Sequence, residues 1–274
     1  IIDKADERRG MPTPHRTLTD YHAAQSWIGS STDFGRHGAI LVGDFLFSAA
    51  TAAADEQALT LREDCARAFS RRFADMHAEV ALGQYLDITA EQTPLDPERT
   101  DALSTSDSLE VALHKSAHYS VVHPALLGAI CAASSFDHVA DLLDVLETIL
   151  TPWGLAFQLR DDDLGVFGDP AVTGKPAGDD LREGKRTALL ALTWEASSPA
   201  ERRALTDVLG VAEASAEQIA TATEIVERNG RAAHEAEIAR LVADGDAALE
   251  GSTFDEDARA MLRELCSILT ARRA

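Results

Sequence analysis

The sequence predicts an all-α protein, an antiparallel helix bundle around a central cavity, on three observations. Apolar residues make up 45% of the 274 residues and aromatics only 5%, a balance that suits packed helices better than sheet interiors. Long stretches repeat their apolar residues with a helical period or are apolar nearly all round. No convincing strand, repeat or low-complexity linker interrupts them. The length suffices for one sizeable core, and residues 1–274 read as a single domain.

The elements follow in order. The opening IIDKADERRG reads like the end of something, so we expect a chain that lacks its N-terminal region. Ala39–Ala54, AILVGDFLFSAATAAA, predicts a buried helix with Asp44 as its one acid. From about Ala58 to Asp87, apolar side chains at Leu61, Cys65, Ala68, Phe69, Phe73, Met76 and Val80 predict a second helix. Pro94 and Pro97 mark a loop. Ser104–Ser120 reads as a helix entered through Ser and Asp caps, broken at His123-Pro124 and resumed over Leu126–Ala133. Phe136–Leu150 and Trp153–Val166 form the helix that carries three aspartates. Gly168–Gly184 is too long for a simple connector and reads as a functional loop. Beyond Thr187 come four helical stretches, split at Ser198-Pro199, Gly210 and Gly251. Trp27, Trp153 and Trp194 read as packing residues.

Composition excludes several partners. The formal charge is −21, from 46 acids against 25 bases, and such a surface repels nucleic acid and anionic membranes. It does not oppose a small anionic substrate where basic residues gather locally. Cys65, Cys131 and Cys266 are odd in number and show no metal-ligand spacing, so they read as buried free thiols. Free thiols favour a reducing compartment. With no apolar run of membrane-spanning length and no visible signal peptide, the expectation is a soluble cytoplasmic protein.

The chemistry concentrates in Phe157–Thr187, FQLRDDDLGVFGDPAVTGKPAGDDLREGKRT. Adjacent carboxylates repel one another and are made tolerable by a cation. Gln158 lies one helical turn before Asp161 and Asp162, so these three share a face, while Asp163 points away. Mg²⁺ prefers one or two carboxylates plus phosphate oxygens and water, which Asp161 and Asp162 suit. The lysines that follow suggest an anionic ligand joining the metal. His114, His118 and His123 are not spaced i, i+4 onto a common acid, so no metal site is expected of them; His114 and His118 are merely a turn apart.

FQLRDDDLG, Gly168-Asp169, TGKP and DLREGKRT resemble the second aspartate-rich region of the trans-isoprenyl diphosphate synthases. IID followed by RRGMPTPHR resembles the end of that family's first DDxxD motif with its arginine pair. GDFLF at Gly43–Phe47, GQYLD at Gly83–Asp87 and LHKSAHYS at Leu113–Ser120 resemble three further family segments, all in family order over roughly residues 1–190. Two departures stand out. Only Asp3 of the first motif is present, and the fifth position of the second motif is Gly165, for which Asp169 is a candidate substitute.

The resemblance implies an isoprenoid-synthase-like fold. It also implies an activity: Mg²⁺-dependent condensation of an allylic diphosphate with isopentenyl diphosphate, by a homodimer. Asp3, Asp161 and Asp162 would hold the metal. Arg8 would contact the allylic diphosphate and Arg9 the isopentenyl diphosphate. Lys115, Lys175 and Lys185 would neutralise diphosphate oxygens, and Ser116 and Gln158 would set oxygen dipoles near the carbocation. Two alternatives stay open: a non-catalytic partner subunit of a heteromeric synthase, and a class I terpene cyclase, for which an NDxxSxxxE string is missing.

Overall fold

Short polar side chains decide where the helices begin. Ser30 accepts a hydrogen bond from the backbone N–H of Asp33, Ser104 from that of Asp107, and Thr187 from that of Leu190. Ser198 with Glu201, and Ser215 with Gln218, form reciprocal capping boxes. The computed structural model describes residues 1–2, 5–8, 10–168, 178–211 and 213–271. The chain divides into two compact units, Ile1–Leu61 and Arg62–Ala274. As the composition predicts, helices dominate both.

The N-terminal unit opens with a two-residue antiparallel ladder, β1 (Glu7–Arg8) against β2 (Met11–Pro12), with Arg8 opposite Met11. The sequence shows no strand signal here; the pairing is too short to have one. The Thr13 hydroxyl donates to the carbonyls of Ala5 and Asp6 at 3.0 and 3.1 Å, which ties the ladder to the next element. Pro14 then opens α1 (Pro14–Ala24), at a position where a missing N–H costs nothing. α2 (Ser31–Ala58) packs on α1.

Within this unit the burial expected of Ala39–Ala54 does not occur. Ile40, Leu41, Phe45, Leu46 and Phe47 remain 51–71% exposed, and Asp44 is exposed with them. One neighbouring helix cannot cover a helix that is apolar on all sides. α2 also holds a window of mean hydropathy 1.3, long and apolar enough by composition to cross a membrane.

The C-terminal unit begins with α3 (Glu63–Gln92), whose buried Cys65, Phe69, Met76 and Gly83 follow the predicted rhythm. α4 (Thr105–Ala112) runs into a π-helical segment, Leu113–Val122, and then α5 (His123–Ala132). The expected break at His123-Pro124 is absorbed. The His123 backbone N–H bonds the carbonyl of His118, five residues back, and Pro124 falls in the first turn of α5. α6 (Ala140–Phe167) is continuous through Pro152. After it come α7 (Asp179–Glu183), α8 (Ala188–Ala196), α9 (Pro199–Thr206), α10 (Ala216–Asn229), α11 (Arg231–Glu250) and α12 (Glu256–Thr270). One more helix than expected follows Thr187, because Gly230 separates α10 from α11. Residues 169–177 of the expected loop lie outside the described residues.

The π-helical segment packs on α3 and α6, and α6 also carries α11. Two glycines permit this. A Cβ on Gly83 would lie 2.4 Å from the backbone N of Lys115, and one on Gly154 would lie 3.0 Å from the Cβ and carbonyl of Ala117. Trp153, Ala156 and Leu159 of α6 are completely buried, and the Trp153 indole donates to the Val242 carbonyl at 3.2 Å. Trp194 anchors a second cluster with Leu189, Leu205 and Val226, and donates to the Arg99 carbonyl at 2.9 Å. Trp27 packs edge-on against Tyr21 and Phe34, though about half of it is exposed. Cys65 and Cys266 are buried and Cys131 half-buried, all as free thiols.

Two stability predictions follow from this packing. Gly83→Ala forces a Cβ into backbone that has no rotamer to change, so it is expected to cost about 1–3 kcal/mol in urea unfolding; an unchanged midpoint would show that α3 moves aside freely. His234 on α11 is completely buried, and burial pushes its pKa down to about 4. A histidine with a lowered folded pKa contributes stability above about pH 6.5 that is lost as pH falls toward 4. From pH 7 to pH 5 the wild type should therefore lose about 2 kcal/mol more than His234→Leu. Parallel losses in the two proteins would rule out a neutral buried imidazole.

Candidate functional site: a carboxylate cluster beside the π-helical segment

Periodicity along α6 sets the site. Gln158 and Asp162 lie one turn apart, and the Gln158 amide donates to Asp162 Oδ1 at 2.7 Å. Asp161 is exposed and Asp162 is buried, so the two adjacent acids sit at different depths. Burial pushes the Asp162 carboxyl well above the ordinary range. The charges of Asp180 and Asp161 add to the effect, while the Gln158 hydrogen bond and the Lys115 charge oppose it. Among the described residues no cation is in direct contact with this buried carboxylate, which two other acids crowd, so it is short of positive charge there. A divalent ion with oxygen ligands fits that deficit.

Asp163 is treated differently. It is buried as well, but Arg231 Nε stands 3.3 Å and Arg160 Nη1 3.7 Å from its oxygens. Arg160 is held in turn by Glu235 at 2.5 and 2.9 Å. Asp163 is thus a packing ion pair directed away from the Asp162 cluster, as the helical geometry predicts.

Asp180 is the acid the sequence reading missed. It is 8% exposed, on α7, and it fills the space over Gly165. A Cβ at position 165 would lie 2.0 Å from Asp180 Oδ2. An acid fifteen residues later in the chain therefore occupies the space beside the fifth position of the motif. Asp169, the substitute considered from sequence, lies outside the described residues. The signal for Asp180 was present in GDDLREGK, but only folding brings it onto α6. Lys185 Nζ binds Asp180 Oδ1 at 3.1 Å and Glu183 Oε2 at 2.8 Å. Those charges raise the Lys185 pKa although burial opposes them.

The π-helical segment supplies the other wall. Lys115 Nζ contacts Asp87 Oδ2 at 2.5 Å, so Asp87 is the partner of the predicted lysine. Ser116 follows it and is buried. The structure thus brings Lys115, Gln158, Asp161, Asp162, Asp180 and Lys185 into one electrostatic neighbourhood. Arg8 is exposed on β1 of the N-terminal unit. Asp3, Arg9 and Lys175 lie outside the described residues.

The histidines do have a common acid. His114 Nδ1 and His118 Nδ1 lie 2.6 and 2.5 Å from Glu79 Oε1, and His123 Nε2 lies 2.8 Å from Oε2. In an α-helix, nine residues amount to about 900°, which would put His123 opposite His114. The wider π winding keeps positions 114, 118 and 123 on one face. Glu79 itself sits on α3, thirty-five residues from His114, where no local spacing reveals it. Burial opposes its charge, but hydrogen bonds from His123, His114 and His118 hold its pKa down at about 2.

Comparison with known proteins bears on this arrangement. The family model for polyprenyl synthetase matches residues 1–226. The chain is 31% identical over 231 residues to the geranylfarnesyl diphosphate synthase of Aeropyrum pernix, covering 84% of this chain and 63% of that protein. It is 32% identical over 234 residues to the geranylgeranyl diphosphate synthase of Mycobacterium tuberculosis, covering 83% and 61%. It therefore spans less than two thirds of the length of these curated relatives. The crystal structure of the geranylgeranyl pyrophosphate synthase from Corynebacterium glutamicum, complexed with isoprenyl diphosphate and magnesium, superposes with a TM-score of 0.88. It is 37% identical and covers 99% of this chain and 73% of that one.

The electrostatics generate a prediction that is independent of activity. A carboxyl raised in the folded state contributes stability at low pH that is lost as pH rises through the folded value, so the metal-free protein bears the cost near pH 7. Asp162→Asn should raise the melting temperature in chelator at pH 7 by a few degrees. Millimolar Mg²⁺ should stabilise the wild type and narrow the difference. A variant that melts lower than wild type in chelator would show that the charge is already balanced.

Proposed function

The chain belongs to the polyprenyl synthetase family, and we propose that it is a Mg²⁺-dependent prenyltransferase that joins an allylic diphosphate to isopentenyl diphosphate, giving a longer all-trans prenyl diphosphate. The observation that carries the reading is the buried Asp162 carboxyl, crowded by the charges of Asp180 and Asp161, with Lys115 and Lys185 nearby. When bound, the metal supplies positive charge that holds a diphosphate as it leaves.

The side chains divide the remaining work. Asp161 and Asp162 offer oxygens at two depths on one helix face, which suits coordination from a single side. Asp180 stands where the motif lacks its last acid. Lys115, steadied by Asp87, and Lys185, steadied by Asp180, offer fixed positive charge to diphosphate oxygens. Such charge lowers the ionisation barrier because it binds the leaving group more strongly as negative charge accumulates there. Gln158 uses its N–H on Asp162, so the carbonyl oxygen is the end it presents to a carbocation. Ser116 adds a second neutral oxygen at a buried position. The alkene of isopentenyl diphosphate attacks the allylic cation, and the departing pyrophosphate takes the proton lost from the adduct. The contacts that the family resemblance assigns to Asp3, Arg8, Arg9 and Lys175 belong to the same proposal.

The exposed apolar side chains of α2, Leu41, Phe45 and Leu46 among them, favour a homodimer. Three free thiols and membership of this family favour the cytoplasm.

The test is an assay of the purified intact protein, N-terminal region included, with Mg²⁺, isopentenyl diphosphate and C5, C10 or C15 allylic diphosphates. Condensation is expected, and Asp161→Asn should cut turnover by about a hundredfold or more with an unchanged circular dichroism spectrum. No condensation with any of the three would overturn the enzyme reading. Near-normal turnover in Asp161→Asn would remove this helix from the site.

A further inference from the structure

We infer that Glu79, His114 and His118 form a binding site for one transition-metal ion of the Zn²⁺ type, separate from the carboxylate cluster on α6. The ligand atoms, one from each residue, all lie within 4.8 Å of one another. A tetrahedral ion with bonds of roughly 2 Å places its ligands about 3.3 Å apart, a separation that small side-chain rotations reach from here. Two elements contribute. Glu79 comes from α3, and the two histidines come from one turn of the π-helical segment packed against it.

The donor set selects the metal. Two imidazoles and one carboxylate suit Zn²⁺, Co²⁺ or Ni²⁺, whereas Mg²⁺ demands oxygen ligands. With metal on Nδ1, His114 carries its remaining ring proton on Nε2. Glu110 Oε1 lies 3.1 Å from that nitrogen, ready to accept it. A carboxylate behind a ligating histidine is the usual device for fixing the ring and raising its basicity. His123 steadies the other side by holding Glu79 Oε2 at 2.8 Å. The three ligand side chains are 16–26% exposed, so an ion can enter and water can take the fourth position. The bound ion would replace hydrogen bonds between α3 and the π-helical segment with coordinate bonds.

The proposal stands apart from prenyl transfer, because it is read by binding. The chelator-stripped full chain is titrated with Co²⁺ in excess Mg²⁺, which occupies the oxygen sites. One Co²⁺ per chain is expected, with the visible absorption of a tetrahedral or five-coordinate ion, displaced by Zn²⁺. Glu79→Gln and His118→Gln should each weaken binding at least tenfold, and Asp161→Asn should not. X-ray absorption at the zinc edge of the wild type reads the same site without any substitution, and two imidazoles per ion are expected. Absence of stoichiometric Co²⁺ binding, unchanged affinity in a folded His118→Gln, or a zinc spectrum without imidazole scattering would each overturn the proposal.

Discussion

The π-helical segment sits where helices of ordinary side chains would not let it sit. Gly83 removes the side chain that would strike the backbone at Lys115, and Gly154 does the same at Ala117. Backbone therefore approaches backbone on both sides. A π winding is poorly favoured in isolation, so its ten residues depend on this packing and on the polar contacts it makes. Those contacts fall into two sets. Lys115 goes to Asp87, and its charge acts on Asp162; His114, His118 and His123 go to Glu79. One segment thus joins the carboxylate cluster to a second polar centre, and both depend on the same two glycines.

Charge along α6 differs sharply between neighbouring acids. Asp162 and Asp163 are consecutive and both buried, yet one faces arginines and the other faces carboxylates. Helical period points the two side chains to different sides, and the neighbours on each side set the charge balance. The arginines at 160 and 231 are placed to balance Asp163, and neither lysine near Asp162 is committed to it. Lys115 contacts Asp87, and Lys185 contacts Asp180 and Glu183. A chain already at −21 gains no stability from an additional uncompensated buried acid.

What could be read in the sequence was whatever is carried by local spacing. The rhythm of α3, the run of aspartates, the shared face of Gln158, Asp161 and Asp162 and the divergence of Asp163 from them all follow from helical period. Reading failed where that period did not apply. The 3.6-residue assumption separates His123 from His114, and the π winding reunites them. It also failed where partners are distant in the chain, as Glu79 is from His118 and Asp180 is from Gly165. α2 failed for a third reason. Its apolar surface correctly signals a need for burial, but the neighbour in its own unit covers little of it.

The pairing of Gly165 with Asp180 puts a carboxylate in space beside a position that carries none in sequence. An acid at 165 would be fixed by α6 itself, in register with Asp161 and Asp162. At 180 it is fixed by other means: Lys185 holds its carboxylate, and the backbone N–H groups of Gly184 and Lys185 hold its carbonyl at 3.0 Å. The carboxylate can reach α6 only because position 165 has no side chain, since even a Cβ would stand 2.0 Å from Oδ2. The missing side chain at 165 is thus the condition for the Asp180 carboxylate to sit where it does. An acid restored at 165 with Asp180 in place would bring a fourth carboxylate into the cluster and displace α7.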